Sequence, residues 1–375
     1  MKTKQSLLLA LSLLVLSTSL SANYALNDSY NIRQKALGGT QVATFKSISS
    51  FHQNPAFLSL QNKSAFSLPK LEIGFNENIF DKFQELSDLA GEGDDESDQI
   101  AKLKELTPFK FGAKANINPF ITVVKGGLGF TMFSEFETAG NLKRKSSPQL
   151  EVSTYAQSNV MLGYAKEFDV AGKPLHVGIA PKYIHKIIAY DTSTGEDYFL
   201  LTQSEILHII NNDTEIDVVD TYVLDGTGID VGFLRPIGNG YYGLTVKNLR
   251  SDIRGTKELD DDETKNVIQA IPPLWTLGTS FDYKAPIIGK TNISADYNVI
   301  SETTNFYKKL HIGIEKPIKN FLFLRGGLNQ GFIVGGFGVN FFYFKLDYAY
   351  FAEELGLKLG QDSLMTHNFQ MSFTF

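Results

Sequence analysis

From about residue 65 to its last residue, the chain alternates apolar and polar side chains with a period of two, and this narrows its possible folds more than any other feature. In "TNISADYNV", Ile293, Ala295, Tyr297 and Val299 are apolar, while Asn292, Ser294, Asp296 and Asn298 between them are polar. "FFYFKLDYAYF" likewise puts Phe342, Phe344, Leu346, Tyr348 and Tyr350 on one face, with Lys345 and Asp347 on the other. Such segments are two-faced strands. In "FYKKLHIGIE", Lys308 interrupts the apolar row of Phe306, Leu310, Ile312 and Ile314 near one end, where a lysine can snorkel to water. Beyond residue 22, no stretch offers the roughly eighteen consecutive apolar residues of a spanning helix. If this chain crosses a membrane, it must do so as a closed barrel, whose strands satisfy one another's backbone groups.

The first 22 residues are set apart from that pattern. Lys2 and Lys4 precede the apolar run "LLLALSLLVL" from Leu7 to Leu16, and "STSLSA" follows with small residues, so an export signal cleaved after Ala22 is expected. There is no cysteine, which excludes disulfides and a lipoprotein anchor. With 43% hydrophobic residues and a mean hydropathy of −0.10, the chain is neither a disordered tail nor a helical membrane bundle. Its net charge of −6 argues against nucleic acid as a partner.

Between turn signals, strands are expected near 65–75, 108–116, 119–137, 150–168, 173–191, 217–235, 240–250, 270–284, 290–300, 306–316, 320–327, 331–339, 342–352 and 365–375. The count is fourteen if Gly126 and Gly127 kink the segment 119–137 rather than end it, with the turn before it at "NP". Short connections then alternate with generally longer ones, as in an outer-membrane β-barrel with both termini at its short-turn end. The fold class expected is therefore all-β, a transmembrane antiparallel barrel in the bacterial outer membrane. A soluble β-sandwich also alternates, but it hides its apolar face and gives no reason for a two-sided loop asymmetry. Two connections carry helical patterns, at 77–106 and 201–210, expected to cap the outer mouth.

Residues 23–64 do not alternate and are rich in small residues. They are either an ordered leader or a plug (hatch) inside a lumen that would otherwise be open. "ALGGTQVA", with Gly38 and Gly39, and then "NPA" at Asn54, Pro55 and Ala56 followed by Leu58, resemble the opening of the FadL-like superfamily of outer-membrane long-chain fatty-acid transporters. PorV-type secretion proteins and TraF-like barrel proteins are relatives within that group. "LFLRGGLNQG" and the later "THNFQMSFTF" resemble its final hairpins. The resemblance implies a fourteen-stranded barrel with an N-terminal hatch. It also implies passive uptake of a hydrophobic small molecule or lipid, which leaves inward or sideways through a kinked strand, for which Gly126 and Gly127 are the candidates. The alternative it leaves open is a non-transporting barrel that binds an envelope protein partner in a secretion or conjugation assembly.

Enzymatic chemistry is not expected, because the six histidines are scattered without a neighbouring nucleophile and orienting acid. No cofactor motif and no metal-ligand spacing is present; the acidic runs near residues 92–98 and 258–263 read as solvated loops. Asp282, Asp296, Lys309, His311, Glu315, Lys345 and Asp347 fall on the polar face and are the candidate lumen-lining residues. At the end of the chain, Phe369, Met371, Phe373 and Phe375 alternate with polar residues. They are expected to face outer-membrane lipids and to present the signal read by the barrel-assembly machinery.

Overall fold

The computed structural model describes residues 31–373 except 45–47, 62, 78, 89–94, 192, 212–218, 259–263, 286–288, 302, 320, 355–358 and 361–362. The expected export signal and Phe375 lie outside the described residues. The strands, in chain order, begin with β1 (Ala65–Ser67), β2 (Leu71–Asn76), β3 (Phe109–Lys125), β4 (Leu128–Lys143), β5 (Gln149–Asp169) and β6 (Pro174–Asp191). They continue with β7 (Phe199–Leu201), β8 (Val219–Ile237), β9 (Gly240–Lys247), β10 (Ser251–Glu258), β11 (Thr264–Ile271) and β12 (Leu274–Ala285). The last six are β13 (Gly289–Ile300), β14 (Leu310–Ile318), β15 (Leu322–Asn329), β16 (Phe332–Phe341), β17 (Phe344–Glu354) and β18 (Ser363–Phe373).

All but β1, β7, β10 and β11 form one antiparallel wall of fourteen strands, each bonded to the next wall strand in sequence. β18 closes the ring by pairing with β2, from Met371 opposite Leu71 to Thr366 opposite Asn76. Closure leaves the wall itself with no open edge along these registers, which is what makes such a sheet viable in hydrocarbon. Along the strands, exposed Leu277, Phe281, Ile293, Ile314, Leu324 and Phe337 alternate with buried Ser280, Ser294, Asp296, His311, Glu315, Arg325 and Asp347. Apolar groups outside and charged groups inside are the reverse of a sandwich, so the alternation here records a barrel with an apolar outer face. Phe369, Met371 and Phe373, at 41%, 41% and 48% exposure, belong to that outer face.

One turn corrects the expected layout. The chain does not reverse at Asn118-Pro119; β3 runs through them to Lys125. It reverses at Gly126 and Gly127, which are not a strand kink but a two-residue hairpin turn, with Lys125 paired to Leu128. Both glycines have positive φ, +57° and +83°, as the tight turn that matches strand twist requires. Moving the turn lengthens one strand and shortens the other, so the total of fourteen is unchanged. Asn118-Pro119 instead sits in a bulge: β3 pairs with β4 at Ile117 and again at Ile121, so residues 118–120 oppose Phe133 alone. Proline lacks the N–H a regular ladder needs, and a bulge is where a strand tolerates it. The opposite edge of β3 is interrupted at the same level, since β2 ends its pairing at Leu71–Ile117 and β1 resumes at Ser67–Thr122. Gly126→Asn is expected to leave barrel yield unchanged, because Asn suits the first position of this turn and an added Cβ has nothing within 4 Å. Gly127→Val is expected to reduce it severalfold, because its Cβ would lie 2.5 Å from the Ala165 carbonyl oxygen. The heat-modifiable gel migration of folded barrels measures both.

At the end bearing the longer connections, helices α2 (Ile79–Asp88) and α3 (Glu96–Leu106) join β2 to β3, and α4 (Gln203–Ile210) follows β7. α1 is a single turn, Ile32–Lys35. Leu103 and Ile206 pack with Phe109, Leu142, Val152, Phe199 and Leu201 into an apolar cluster over β3–β5. The stretch 251–269, expected as a loop, is the hairpin β10–β11. β10 leans on β8 from Asp252 opposite Thr227 to Arg254 opposite Asp225. It is fastened there by buried Lys257, whose Nζ lies 2.9 Å from Asp197 and over the rings of Tyr190 and Tyr222.

Candidate functional site

The described residues of the N-terminal segment, 31–44 and 48–61, touch the buried face of strands on every side of the ring, which places them in the lumen. Its local folding follows from its sequence. Asn31 caps α1, its side chain accepting from Gln34 N, while Gln34 returns a bond to Asn31 N. Gly38 and Gly39 take positive φ values of +66° and +83° and turn the chain back after α1. Asn54 caps a 3₁₀ turn over Pro55–Leu60, accepting from Ala56 N, and its Nδ2 donates to the Val42 carbonyl at 2.8 Å. That bond ties the "ALGGTQVA" and "NPA" stretches together.

The wall receives this segment on pairs of glycines that face each other across strands. Gly129 of β4 opposes Gly163 of β5, where Phe51 and Leu58 rest. Gly178 of β6 opposes Gly232 of β8, beneath Asn54, Pro55 and Ala56. Gly243 of β9 opposes Gly278 of β12, under Val42. Gly313 of β14 opposes Gly327 of β15, against Leu37 and Gly38. At each pair an added Cβ would collide with the segment, so two adjacent strands without side chains make a slot one residue deep. Such slots let backbone approach backbone, the use of glycine that no other residue can serve.

Charge complements the slots. Asp296 accepts from Gln41 N at 2.6 Å and Val42 N at 2.9 Å. Glu315, with a fully buried side chain, accepts from Arg33 of the segment at 2.8 Å and from Arg325 of the wall at 3.0 Å. Arg325 also reaches Asp347 at 2.6 Å, and Lys345 reaches the other oxygen of Asp347 at 3.0 Å. His311 Nδ1 donates to the Gly38 carbonyl at 2.9 Å, while Asn298 Nδ2 donates to its Nε2 at 3.2 Å. Lys35 binds Glu72 at 2.6 Å and Asn368 at 2.8 Å. Buried ions are tolerable only when paired in this way.

Of the expected lumen-lining residues, Asp296, His311 and Glu315 therefore each contact the segment, and Asp347 joins Glu315 through Arg325. Lys345 stands beside Asp347. Asp282 lies at the short-turn rim, bridged to Lys290 at 2.9 Å. Lys309 is not on a lumen wall: it falls in a 3₁₀ turn, Tyr307–Lys309, ahead of β14, because the alternation of "FYKKL" is broken there. Sequence reasoning missed Arg33, Lys35, Glu72, Arg325 and the glycine pairs. Arg325 and Glu315 share the inward parity of their strands, a signal that was present; the pairing of glycines depends on register between strands and left none.

Toward the long-loop end, a second polar group covers the inner wall of β3–β6. Lys114, Glu137 and Tyr155 are directly opposed across three strands, and Asn116, Glu135, Gln157 and Lys186 across four. Lys114 binds Glu137 at 2.6 Å, Tyr155 donates to Glu137 at 3.2 Å, and Lys186 sits over the Tyr155 ring at 4.7 Å. Between this group and the segment is a cavity of about 50 Å³. Lys35, Lys114, Glu137 and Asn368 line one part of it, Phe351 and Leu364 another.

No curated protein matches the chain in sequence. Among solved structures, the toluene transporter TbuX of Ralstonia pickettii is similar at a TM-score of 0.47 and 13% identity, over 92% of this chain and 98% of that one. The toluene transporter TodX of Pseudomonas putida is similar at 0.48 and 10% identity, over 94% and 98%. The monoaromatic hydrocarbon channel CymD is similar at 0.47 and 9% identity, over 94% and 99%. Likeness at this level carries nothing about what this chain binds. Residues 51–297, about two thirds of the 375-residue chain, match the family described as "F plasmid transfer operon, TraF, protein", and the chain belongs to that family.

Proposed function

We propose that this chain is an outer-membrane barrel that lets a hydrophobic small molecule with an anionic head, such as a long-chain fatty acid, pass inward without energy coupling. The observation that carries this reading is the cavity above the N-terminal segment, of a size for the head group alone, which borders the ammonium groups of Lys35 and Lys114, the carboxylates of Glu137 and Glu353, and the apolar side chains of Phe351 and Leu364. An ammonium has three donors. Lys35 uses two, on Glu72 and Asn368, and Lys114 uses one on Glu137, so both retain donors for a carboxylate. The segment acts as a plug in this reading. The exit is the bulge at residues 118–120, where Phe133 lies 5.3 Å, ring to ring, from His52 of the segment. The short-turn end faces the periplasm, and the apolar outer face stands in the outer membrane.

Mass spectrometry of lipids released from the purified protein tests this. A bound acyl carboxylate is expected, and Lys114→Gln is expected to weaken its retention by about tenfold to a hundredfold, the worth of one charged hydrogen bond. Absence of any apolar ligand, together with a co-purifying envelope protein, sinks the proposal and leaves the second reading, a partner-binding barrel in a conjugation or secretion assembly. The plasmid-transfer description of the family favours that second reading.

A further inference from the structure

The lumenal cavity is not lined by cations alone. Glu137 of β4 lies directly opposite Lys114 of β3, and Glu353 lines the cavity from β17, directly opposite Leu364 of β18. Lys114 and Tyr155 both donate to Oε2 of Glu137, at 2.6 Å and 3.2 Å, which leaves Oε1 for a ligand. The Glu137 side chain is 23% exposed, so a ligand can reach it. Two residues along, Ala139 lies opposite Gly112, and both line the cavity with nothing larger than a methyl group.

A head group entering here meets ammonium and carboxylate together. A bare carboxylate would bond to Lys35 and Lys114 but would stand among Glu137 and Glu353, and carboxylates sharing one site repel. An added amine would meet the two lysines in the same way. A hydroxyl is repelled by neither. It donates to a carboxylate oxygen, in a bond strengthened by the charge of the acceptor, and accepts from an ammonium. The cavity, about 50 Å³, holds the head alone, so that hydroxyl must stand within a few carbons of the acid group.

On the reading that the lumen takes an acyl carboxylate, we infer that its preferred cargo is a long-chain acid with a hydroxyl at carbon 2 or carbon 3. Lys35 and Lys114 hold the carboxylate, Glu137 Oε1 accepts from the hydroxyl, and Phe351 and Leu364 meet the first methylenes. Glu137 and Glu353 disfavour the unsubstituted acid, so the same pair of carboxylates that selects the hydroxyl excludes its commonest competitor.

Native mass spectrometry of the full chain in detergent decides it, with 3-hydroxytetradecanoic, 12-hydroxytetradecanoic and tetradecanoic acid offered in equal amounts. The 3-hydroxy acid is expected to be retained about tenfold better than the other two, the worth of one hydrogen bond to a charged group. In Glu137→Gln, Lys114 holds the amide oxygen and the amide N–H turns to the cavity. The preference is then expected to disappear, and retention of tetradecanoic acid to rise severalfold. If that variant does not fold, as heat-modifiable migration shows, Glu353→Gln, which keeps the pair of Lys114 and Glu137, is expected to raise retention of tetradecanoic acid as well. Equal retention of the three acids overturns the inference, as does retention unchanged in the folded variants. Better retention of 3-aminotetradecanoic acid than of the 3-hydroxy acid assigns the glutamates to a cation and overturns it too. In each of these outcomes an acyl carboxylate is still bound and the reading of the lumen stands; retention of no acid at all overturns both.

Discussion

Gly327→Val is expected to unseat the N-terminal segment, whereas Gly326→Val, one residue earlier on the same strand, is expected to be tolerated. The two glycines point to opposite faces of β15. A Cβ on Gly327 would lie 2.5 Å from Gly38 N and 2.5 Å from the Ile312 carbonyl oxygen, and neither backbone can move without opening the wall or lifting the segment. A Cβ on Gly326 would find its nearest neighbour, the Val334 carbonyl oxygen, 4.0 Å away. Overpacking of this kind costs about 3 kcal/mol, and the outward substitution, which meets no close neighbour, costs little. Limited trypsin digestion reads the difference directly, because Arg33 and Lys35 are cleavage sites that the seated segment holds in the lumen. Cleavage after them should accelerate by at least tenfold in Gly327→Val and stay unchanged in Gly326→Val. Equal protection in both would mean that the glycine slots do not hold the segment.

Glu315→Leu should be the most damaging single change to the ionic network, and Arg33→Met much the milder. Glu315 is the hinge between segment and wall, accepting from Arg33 on one side and Arg325 on the other. Removing it leaves Arg33 without its carboxylate and leaves Arg325, a side chain only 1% exposed, with Asp347 alone, and breaking a buried pair by deleting one partner costs about 3–5 kcal/mol. Arg33 is 11% exposed and its loss leaves Glu315 still paired with Arg325, so about 1–2 kcal/mol is expected. A double-mutant cycle over Arg33 and Glu315, read from thermal midpoints of the folded barrel, isolates their coupling. A coupling near zero would show that the pair forms without contributing to the seat.

Much of this architecture is readable from consecutive residues. The alternation around Asp296 appears as β13 and that around Lys345 and Asp347 as β17, each within two residues of its expected bounds. The misplaced turn shows where such reading fails. Both "NP" and "GG" are turn signals, so the presence of turn residues does not choose between them. The choice is made by pairing: β3 must match β4 residue for residue from Lys125 and Leu128 outward, and only the glycine pair supplies the dihedrals for that hairpin. Lys309 shows the complementary failure, since its parity was right but the strand had not yet begun.

By itself, the sequence determined that the wall is a closed set of two-faced strands, which side chains turn inward, and that fourteen segments are available to close it. Periodicity is a property of neighbours along the chain, and parity follows from the pleat wherever a strand forms. Only the tertiary structure decided what those inward groups meet. Glu315 and Arg33 are 282 residues apart, and Asp296 and Val42 are 254 apart. The glycines that seat the segment become pairs only when each strand has settled into register with its neighbour and the ring has closed at β18 and β2. Register is set by hydrogen bonds between distant stretches of chain, so the slots, and the charge network that completes them, exist in the closed barrel alone.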